Sequence, residues 1–552
     1  LYSVAAKLGN EKYPEIREYA VFKKKEFLSL DLTVPIVPGQ SEYSMFGGLS
    51  IGADYLTSKI RMAAEDKDIV GIVIKISDLP NSISYVGLIQ ELRQELVRFK
   101  AKGKYLVVYV EGEISANTYY LISCADKIVM SKMGAIYALG KSLTVTRLTG
   151  LLEKLGLQAD TIKSGEYKDA LSPFNPEYSA KQREHIEQLI FDVNEQVMSE
   201  IRNARQLTTS NIAELNDGGI IPANQALSYG LIDEIAYADK LKEFCRKIAK
   251  LDYDPELINV TQLPAYELDQ DLLPNFNTIA VVDIDGEIVT GKTKENFLFG
   301  GKTVGSDSVI EELKKIGERD YIKAVVLRIN SPGGSALASD MIYEQVMKLK
   351  EKKKYIVASF GNVAASGGYY IAVAADRIVA NRGKRTASIC VIWQMIRGGK
   401  LFDNIGVKQE TIKTGEHMDM DSFGKELTER EREMLFKYQN KIYEDFKLVV
   451  AKGRDIHIED VEKLAQGKIY SGAKAKELKL VDDFGTFYDA IDKAKEGAEI
   501  SGKAKIVRIF NAEDYGWLVA RSRFASMLGL DSLNLKNMVK QNSFAEFQSF
   551  IY

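Results

Sequence analysis

Several common carriers of protein chemistry are scarce in this chain of 552 residues. It has only three cysteines, Cys124, Cys245 and Cys390. They are odd in number and far apart, which excludes a disulfide framework and a zinc-binding pattern. Cys124 and Cys390 follow apolar residues and are expected to be buried packing residues. No metal or cofactor is called for. There are three histidines, His185, His417 and His457, so a histidine base has few candidates. Apolar runs of about 18 residues or more are missing, so no stretch has the form of a spanning helix. The start, Leu1-Tyr2-Ser3-Val4, lacks the charged region and apolar core of a signal peptide. It also lacks methionine, which suggests a trimmed chain and leaves a removed leader or anchor open. The net charge is only −3, which gives no global pull toward nucleic acid or anionic membrane. No basic stretch is interleaved with aromatics as a nucleic-acid groove requires. Lys23-Lys24-Lys25 is expected to be solvated rather than a membrane patch.

What is present is an ordinary globular composition, 45% hydrophobic and 27% charged. The length calls for several domain-sized pieces. The main feature is an internal repeat. Asp31-Leu-Thr-Val-Pro-Ile-Val37 matches Asp283-Ile-Asp-Gly-Glu-Ile-Val289, and Val73-Ile-Lys-Ile76 matches Val326-Leu-Arg-Ile329. Lys104-Tyr105 matches Lys354-Tyr355, and Tyr119-Tyr120 matches Tyr369-Tyr370. Ala125-Asp-Lys-Ile-Val129 matches Ala375-Asp-Arg-Ile-Val379, and Ile162-Lys-Ser-Gly-Glu166 matches Ile412-Lys-Thr-Gly-Glu416. Leu231-Ile-Asp233 matches Leu480-Val-Asp482. The offset stays close to 250 residues from end to end.

Two homologous units are therefore expected, 27–238 and 277–500. An N-terminal segment, 1–26, precedes them. A linker, 239–276, holds Pro255, Pro264 and Pro274, and a tail follows at 501–552. In the tail, Trp517-Leu-Val-Ala520 and Phe524 to Leu530 are apolar enough to need a partner surface. Within each unit short β-branched runs, such as Ile69 to Ile76 and Ala324 to Ile329, have the form of buried parallel strands. Amphipathic stretches lie between them. Ile186, Leu189, Ile190, Val193 and Val197 fall on one helical face. That helix opens with Ser179-x-x-Gln182 and its twin with Thr428-x-x-Glu431, two capping-box signatures. The alternation predicts an α/β fold.

Differences between the copies point to the chemistry. Val363-Ala364-Ala365-Ser366-Gly367-Gly368 follows an apolar strand beginning at Tyr355, and small residues there permit a tight turn. A serine so placed is either a nucleophile at a helix head or a packing residue. In the first unit Ser366-Gly367-Gly368 lies over Ala116-Asn117-Thr118, which has no hydroxyl at that position. Asn330-Ser-Pro-Gly-Gly334 ends a strand of the second unit, where a glycine turn would expose backbone N–H groups as an oxyanion hole needs. The first unit has Ser77-Asp-Leu-Pro-Asn81 there, without the glycines. The reverse holds further on: Tyr167-Lys168-Asp169 lies over His417-Met418-Asp419. One copy keeps the serine and the other keeps the lysine, as expected of a single composite site. A lysine acts as a base near neutrality only when burial lowers its ordinary pKa, about 10.4, by about 3 units. His417 is the rival base, whereas His185 and His457 fall in charged helical segments and are expected to be solvated.

Ala365-Ser-Gly-Gly-Tyr369, Ser331-Pro-Gly-Gly334 and Gly165-Glu-Tyr-Lys-Asp169 resemble the motifs of the signal peptide peptidase A family, the protease IV-like Ser–Lys peptidases. The doubled chain is similar to that family's long form over about 27–490. The resemblance implies tandem ClpP/crotonase-like units of repeated β-β-α elements. It implies Ser366 as nucleophile, Lys168 as general base, and Gly334 and Gly367 as oxyanion donors. The family's Thr-Gly-Ser-Ile-Gly segment reads Thr386-Ala-Ser-Ile-Cys390 here, so Ser388 inherits the lysine-orienting role while Ala387 and Cys390 replace two glycines. The resemblance further implies peptide substrates, notably signal-peptide remnants. It also implies a homo-oligomer, with a tetramer favoured, and a membrane-associated site facing the periplasm, another extracytoplasmic space or a thylakoid. Two other readings stay open: a crotonase-like acyl-CoA enzyme, and a non-catalytic scaffold derived from a protease, which only the altered Ala387 and Cys390 support.

Overall fold

The computed structural model describes residues 24–508 apart from 34, 45–47, 79–85, 138, 209–218, 261–276, 296–300 and 503. The apolar part of the tail, with Trp517 and Phe524, lies outside the described residues, as does nearly all of the N-terminal segment.

In the first unit β-branched runs form a parallel sheet. Its strands are β1 (Glu26–Leu32), β2 (Ile69–Ile76), β3 (Tyr105–Val110), β4 (Lys127–Met130), β6 (Glu234–Ile235) and β7 (Leu257–Asn259), in spatial order β6-β4-β3-β2-β1-β7. Helices α1 (Ala53–Glu65), α2 (Val86–Ala101) and α3 (Ala116–Ile122) supply crossovers, and α4 (Ala180–Arg205) is the long helix. Ile72, Ile74, Leu106, Val108 and Tyr119 are fully buried between sheet and helices. Strands covered on both faces need apolar residues at nearly every position, which explains the unbroken run in β2.

The structure departs from the expected linker. Residues 241–248 form α5 (Leu241–Ile248), whose Leu241 and Cys245 pack under Val73 and Val107. Strand β7 pairs in parallel with β1, Phe27 opposite Leu257. Pro255 lies just before β7 rather than interrupting it, and Pro264 and Pro274 lie outside the described residues. Residues 261–276 lie outside the described residues.

The second unit repeats the plan. Its strands are β8 (Thr278–Asp285), β9 (Ile322–Ser331), β10 (Tyr355–Ala365), β11 (Arg377–Ala380), β12 (Arg385–Ala387), β14 (Ile469–Ser471), β15 (Asp483–Phe484) and β16 (Lys505–Arg508). Helices α6 (Ser306–Gly317), α7 (Ala336–Glu351), α8 (Gly367–Ala372), α9 (Glu429–Arg454) and α10 (Phe487–Gly497) cover the sheet. The main path is β14-β12-β10-β9-β8-β16, with β11 and β15 branching from β10. Long β10 pairs with β11 through Val357 to Ser359 and with β12 through Val363 to Ala365. Strand β16, expected in the tail, is an edge strand of this sheet.

Several contacts join the units. An antiparallel ribbon pairs β5 (Gln158–Ser164) of the first with β13 (Val391–Arg397) of the second, Gln158 opposite Arg397 and Ser164 opposite Val391. A buried charge cluster lies elsewhere in the contact. Arg328 of β9 donates to Asp54 and Glu91 of the first unit, and Lys384 also donates to Glu91. Glu91 further accepts the Phe487 N–H. These cations hold its carboxyl down at about 2, against the opposing effect of burial.

Candidate active site

Ser366 stands between the end of β10 and the head of α8. Its φ of 53° and ψ of −120° are unusual for a non-glycine residue. Such a conformation costs of order 1–3 kcal/mol and persists only where surroundings enforce it. Here the Ser366 N–H donates to the Ala387 carbonyl at 2.8 Å, and the Ser366 carbonyl accepts the Tyr370 N–H at 2.9 Å. Strained strand-to-helix turns of this kind present a nucleophile.

The glycine turn packs directly on it. A methyl group on Gly333 would lie 2.6 Å from Ser366 Cβ and 2.8 Å from Gly367 N, so only glycine fits. Gly333 and Gly334 both have positive φ, 107° and 148°. The Gly333 carbonyl accepts the Ile288 N–H, and the Ser335 N–H donates to the Ile288 carbonyl. Neither the Gly334 nor the Gly367 N–H has an acceptor among the described residues.

Lys168 lies in the turn after β5. Its amine donates to Ser388 Oγ at 3.1 Å and to the Ser388 carbonyl at 3.2 Å. Burial lowers its pKa from 10.5 to about 8, with Cys390 opposing slightly. Strand β12 connects this pair to Ser366. Ala365 pairs with Ala387 in parallel register, so Ser366 and Ser388 are the residues that follow the paired ends of β10 and β12. Ala387 and Ser388 have φ of 71° and 51°, so alanine adopts the left-handed conformation a glycine would favour. The Ser388 hydroxyl thereby reaches the lysine despite the replaced glycine. Cys390 is buried, and its thiol donates to the Ser164 carbonyl at the end of β5. Burial pushes that thiol up to about 11.

The lysine turn is fastened by a residue whose second role its motif does not show. Gln182 completes the capping box of α4, and its amide Nε2 donates to the Glu166 carbonyl at 2.7 Å and to Asp169 Oδ1 at 2.9 Å. In the second unit Glu431 takes its place. That carboxylate accepts from Lys425 at 2.6 Å and stands 3.3 Å from His417 Nδ1. The rival base His417 is thus held at the head of α9. His457 is exposed, as expected. His185 is not solvated, contrary to expectation. It is half-buried, and its Nε2 accepts the Ile469 N–H at 3.2 Å, because α4 packs on edge strand β14 of the other unit. No group of three or more His, Cys, Asp or Glu residues among the described ones is placed to hold a metal ion.

The profile of Peptidase family S49 matches residues 98–252 and 348–501, one stretch in each unit. The chain is similar to Serine protease SPPA, chloroplastic, of Arabidopsis thaliana, 27% identical over 84% of this chain and 68% of that protein. It is similar to Protease 4 of Haemophilus influenzae, 30% identical over 79% of this chain and 71% of that protein. Among solved structures, a point mutant of ClpP1 from Listeria monocytogenes aligns with TM-score 0.26 and 17% identity, covering 38% of this chain and 94% of its own.

Proposed function

The chain belongs to peptidase family S49 and is a serine peptidase, and on that premise we propose that Ser366 and Lys168 form its catalytic dyad. The observation that carries this reading is the buried Lys168 amine, 3.1 Å from the Ser388 hydroxyl and one strand from strained Ser366. The two groups come from different units of one chain.

In this reading neutral Lys168 takes the Ser366 hydroxyl proton as the serine attacks a peptide carbonyl. The proton passes to the leaving amine, and the lysine then activates the water that releases the acyl group. The Ser388 hydroxyl accepts one lysine N–H and fixes the direction of the lone pair. The Gly334 and Gly367 N–H groups face the oxyanion. With a pKa of about 8, roughly a tenth of the lysine is neutral at pH 7. Neither position offers the carboxylate on which a crotonase-type reaction relies.

The substrates we infer are short peptides, signal-peptide remnants among them, met outside the cytoplasm or in a thylakoid. No helix among the described residues is long and apolar enough to cross a membrane. A head-to-tail homo-oligomer is supported by the repeat itself. Within the chain, β5 of the first unit pairs with β13 of the second. Their counterparts, 408–414 and 141–147, have no strand partners among the described residues. Ile412 is 97% exposed where its twin Ile162 is 6% exposed. Pairing 408–414 of one copy with 141–147 of the next, Thr414 opposite Lys141, would repeat the internal contact and close a ring.

The decisive experiment is labelling with a fluorophosphonate alongside hydrolysis of a synthetic signal peptide. Labelling at Ser366 that Lys168→Ala abolishes is expected. Full activity in Lys168→Ala would overturn the dyad.

A further inference from the structure

His185 belongs to the first unit, yet its hydrogen-bond partner, Ile469, lies in the second. Segment 466–470 runs between the two halves of the site. On one side the Gln466 carbonyl accepts the Tyr167 N–H at 2.9 Å, and Gly467 lies so close to Lys168 that a methyl group there would come within 2.6 Å of the lysine Cα. On the other side the Lys468 carbonyl accepts the Ser388 N–H at 2.8 Å, and Ile469 pairs with Ala387. This rail therefore sets the distance between the lysine backbone and the strand that holds Ser388 and anchors Ser366.

His185 grips the rail from its outer edge. Strand β14 is the sheet's edge, and its outward N–H groups lack a strand partner. His185 Nε2 accepts the one at Ile469. The imidazole also packs edge-on against Tyr167, beside the lysine, at 5.2 Å, and against Tyr470 at 5.9 Å. Lys468 lies over the opposite part of this cluster, 5.2 Å from the Tyr167 ring.

We propose that His185 is a positioning residue that clamps the Lys168 turn of the first unit onto the rail of the second. This rests on the Ser–Lys reading. The clamp needs the neutral ring with its proton on Nδ1, because a protonated Nε2 cannot accept the Ile469 N–H. The surroundings favour that state. Burial and then Lys468 hold the imidazole below its usual range, opposed by Asp192 on the same helix. The remaining titratable neighbours are Tyr167 and Tyr470 at the ring, with Lys474 and Glu477 beyond Asp192.

Peptide hydrolysis by the full chain should be measured against pH in His185→Leu and His185→Gln. Leucine removes the acceptor, so kcat/KM should fall about 10–100-fold, mostly in kcat, as expected for a misplaced base. Water reaching a loosened Lys168 should also move the limb near pH 8 upward by about one unit. Glutamine places an oxygen near Nε2 and should stay within about threefold of the parent with an unmoved limb. An unchanged rate and limb in His185→Leu would overturn the clamp, as would equal damage from glutamine. Should His185→Leu fail to fold, Ile469→Pro deletes the donor from the other side. A shifted limb there supports the clamp and an unmoved one overturns it. An active Lys168→Ala enzyme would sink the dyad itself, whereas an inert one beside a normal His185→Leu enzyme would sink only the clamp.

Discussion

Each unit places a short helix head after the corresponding strand of its own sheet, and the backbone differs there. In the first unit Ser115 caps α3 with φ −76° and ψ 166°, an ordinary extended conformation. In the second, Ser366 precedes α8 with φ 53° and ψ −120°. The first head is also settled by local hydrogen bonds: the Ser115 N–H and the Thr118 hydroxyl both donate to Asp78 Oδ1. The second is enforced by distant parts of the chain, the Ala387 carbonyl and the close approach of Gly333. Duplication left one copy relaxed and the other strained, and the strained copy holds the candidate nucleophile. The lysine turn shows the reverse asymmetry. Lys168 is enclosed against the other unit, while Met418 is 67% exposed.

Transplanting residues between the copies tests this contrast. Ser366→Ala should remove peptide hydrolysis by about 10⁴-fold or more, whereas Ala116→Ser should add none. Any activity gained by Ala116→Ser in a Ser366→Ala background would show that the relaxed head is competent. Lys168→Met should cost about 10³-fold or more, and Met418→Lys should not restore it. In the parent, kcat/KM should rise with pH through about 8, because only the deprotonated lysine is a base. A flat profile across that range would assign the base elsewhere.

Ser388→Ala should lower kcat by about 10–100-fold and leave binding almost untouched, measured as separate kcat and KM values. For the contact between units, Glu91→Gln should destabilise the protein by about 3–5 kcal/mol in denaturant titrations, since it takes the ion-pair carboxylate from buried Lys384 and leaves Arg328 with Asp54 alone of the two. The Glu91 carboxyl is depressed from 4.5 to about 2, so its contribution is present above pH 4.5 and lost as pH falls toward 2. Flat stability of the parent over that range, relative to Glu91→Gln, would count against the cluster as a lock. The smallest effect expected is from Ala387→Gly. Relief of positive φ, about 1 kcal/mol, is offset by the flexibility glycine adds, so the melting temperature should barely move.

Much of this was legible in the sequence because the chain carries its own comparison. Strand runs such as Ile69 to Ile76 are apolar at nearly every position because both faces are covered, and that pattern survives without any structure. Ser366 and Lys168 stood out because alanine and methionine occupy the twin positions. Other features were hidden because they depend on which surfaces meet. Nothing in the local pattern around His185 says that its helix packs on an edge strand about 280 residues away. Gln182 was visible as a cap, but its second hydrogen-bonding face was not. Pro255 misled because a proline flanks an edge strand, where it is tolerated, as readily as it marks a linker.

The rail at 466–470 has a consequence for how the molecule comes into being. A chain growing from its N-terminus carries Lys168 first, then Ser366 and Ser388, and gains the spacer between them last. Until Gln466 and Gly467 settle against the lysine turn, the candidate catalytic groups lack the spacer that holds the lysine turn beside β12. On the Ser–Lys reading, activity therefore waits for the last of these segments to be made.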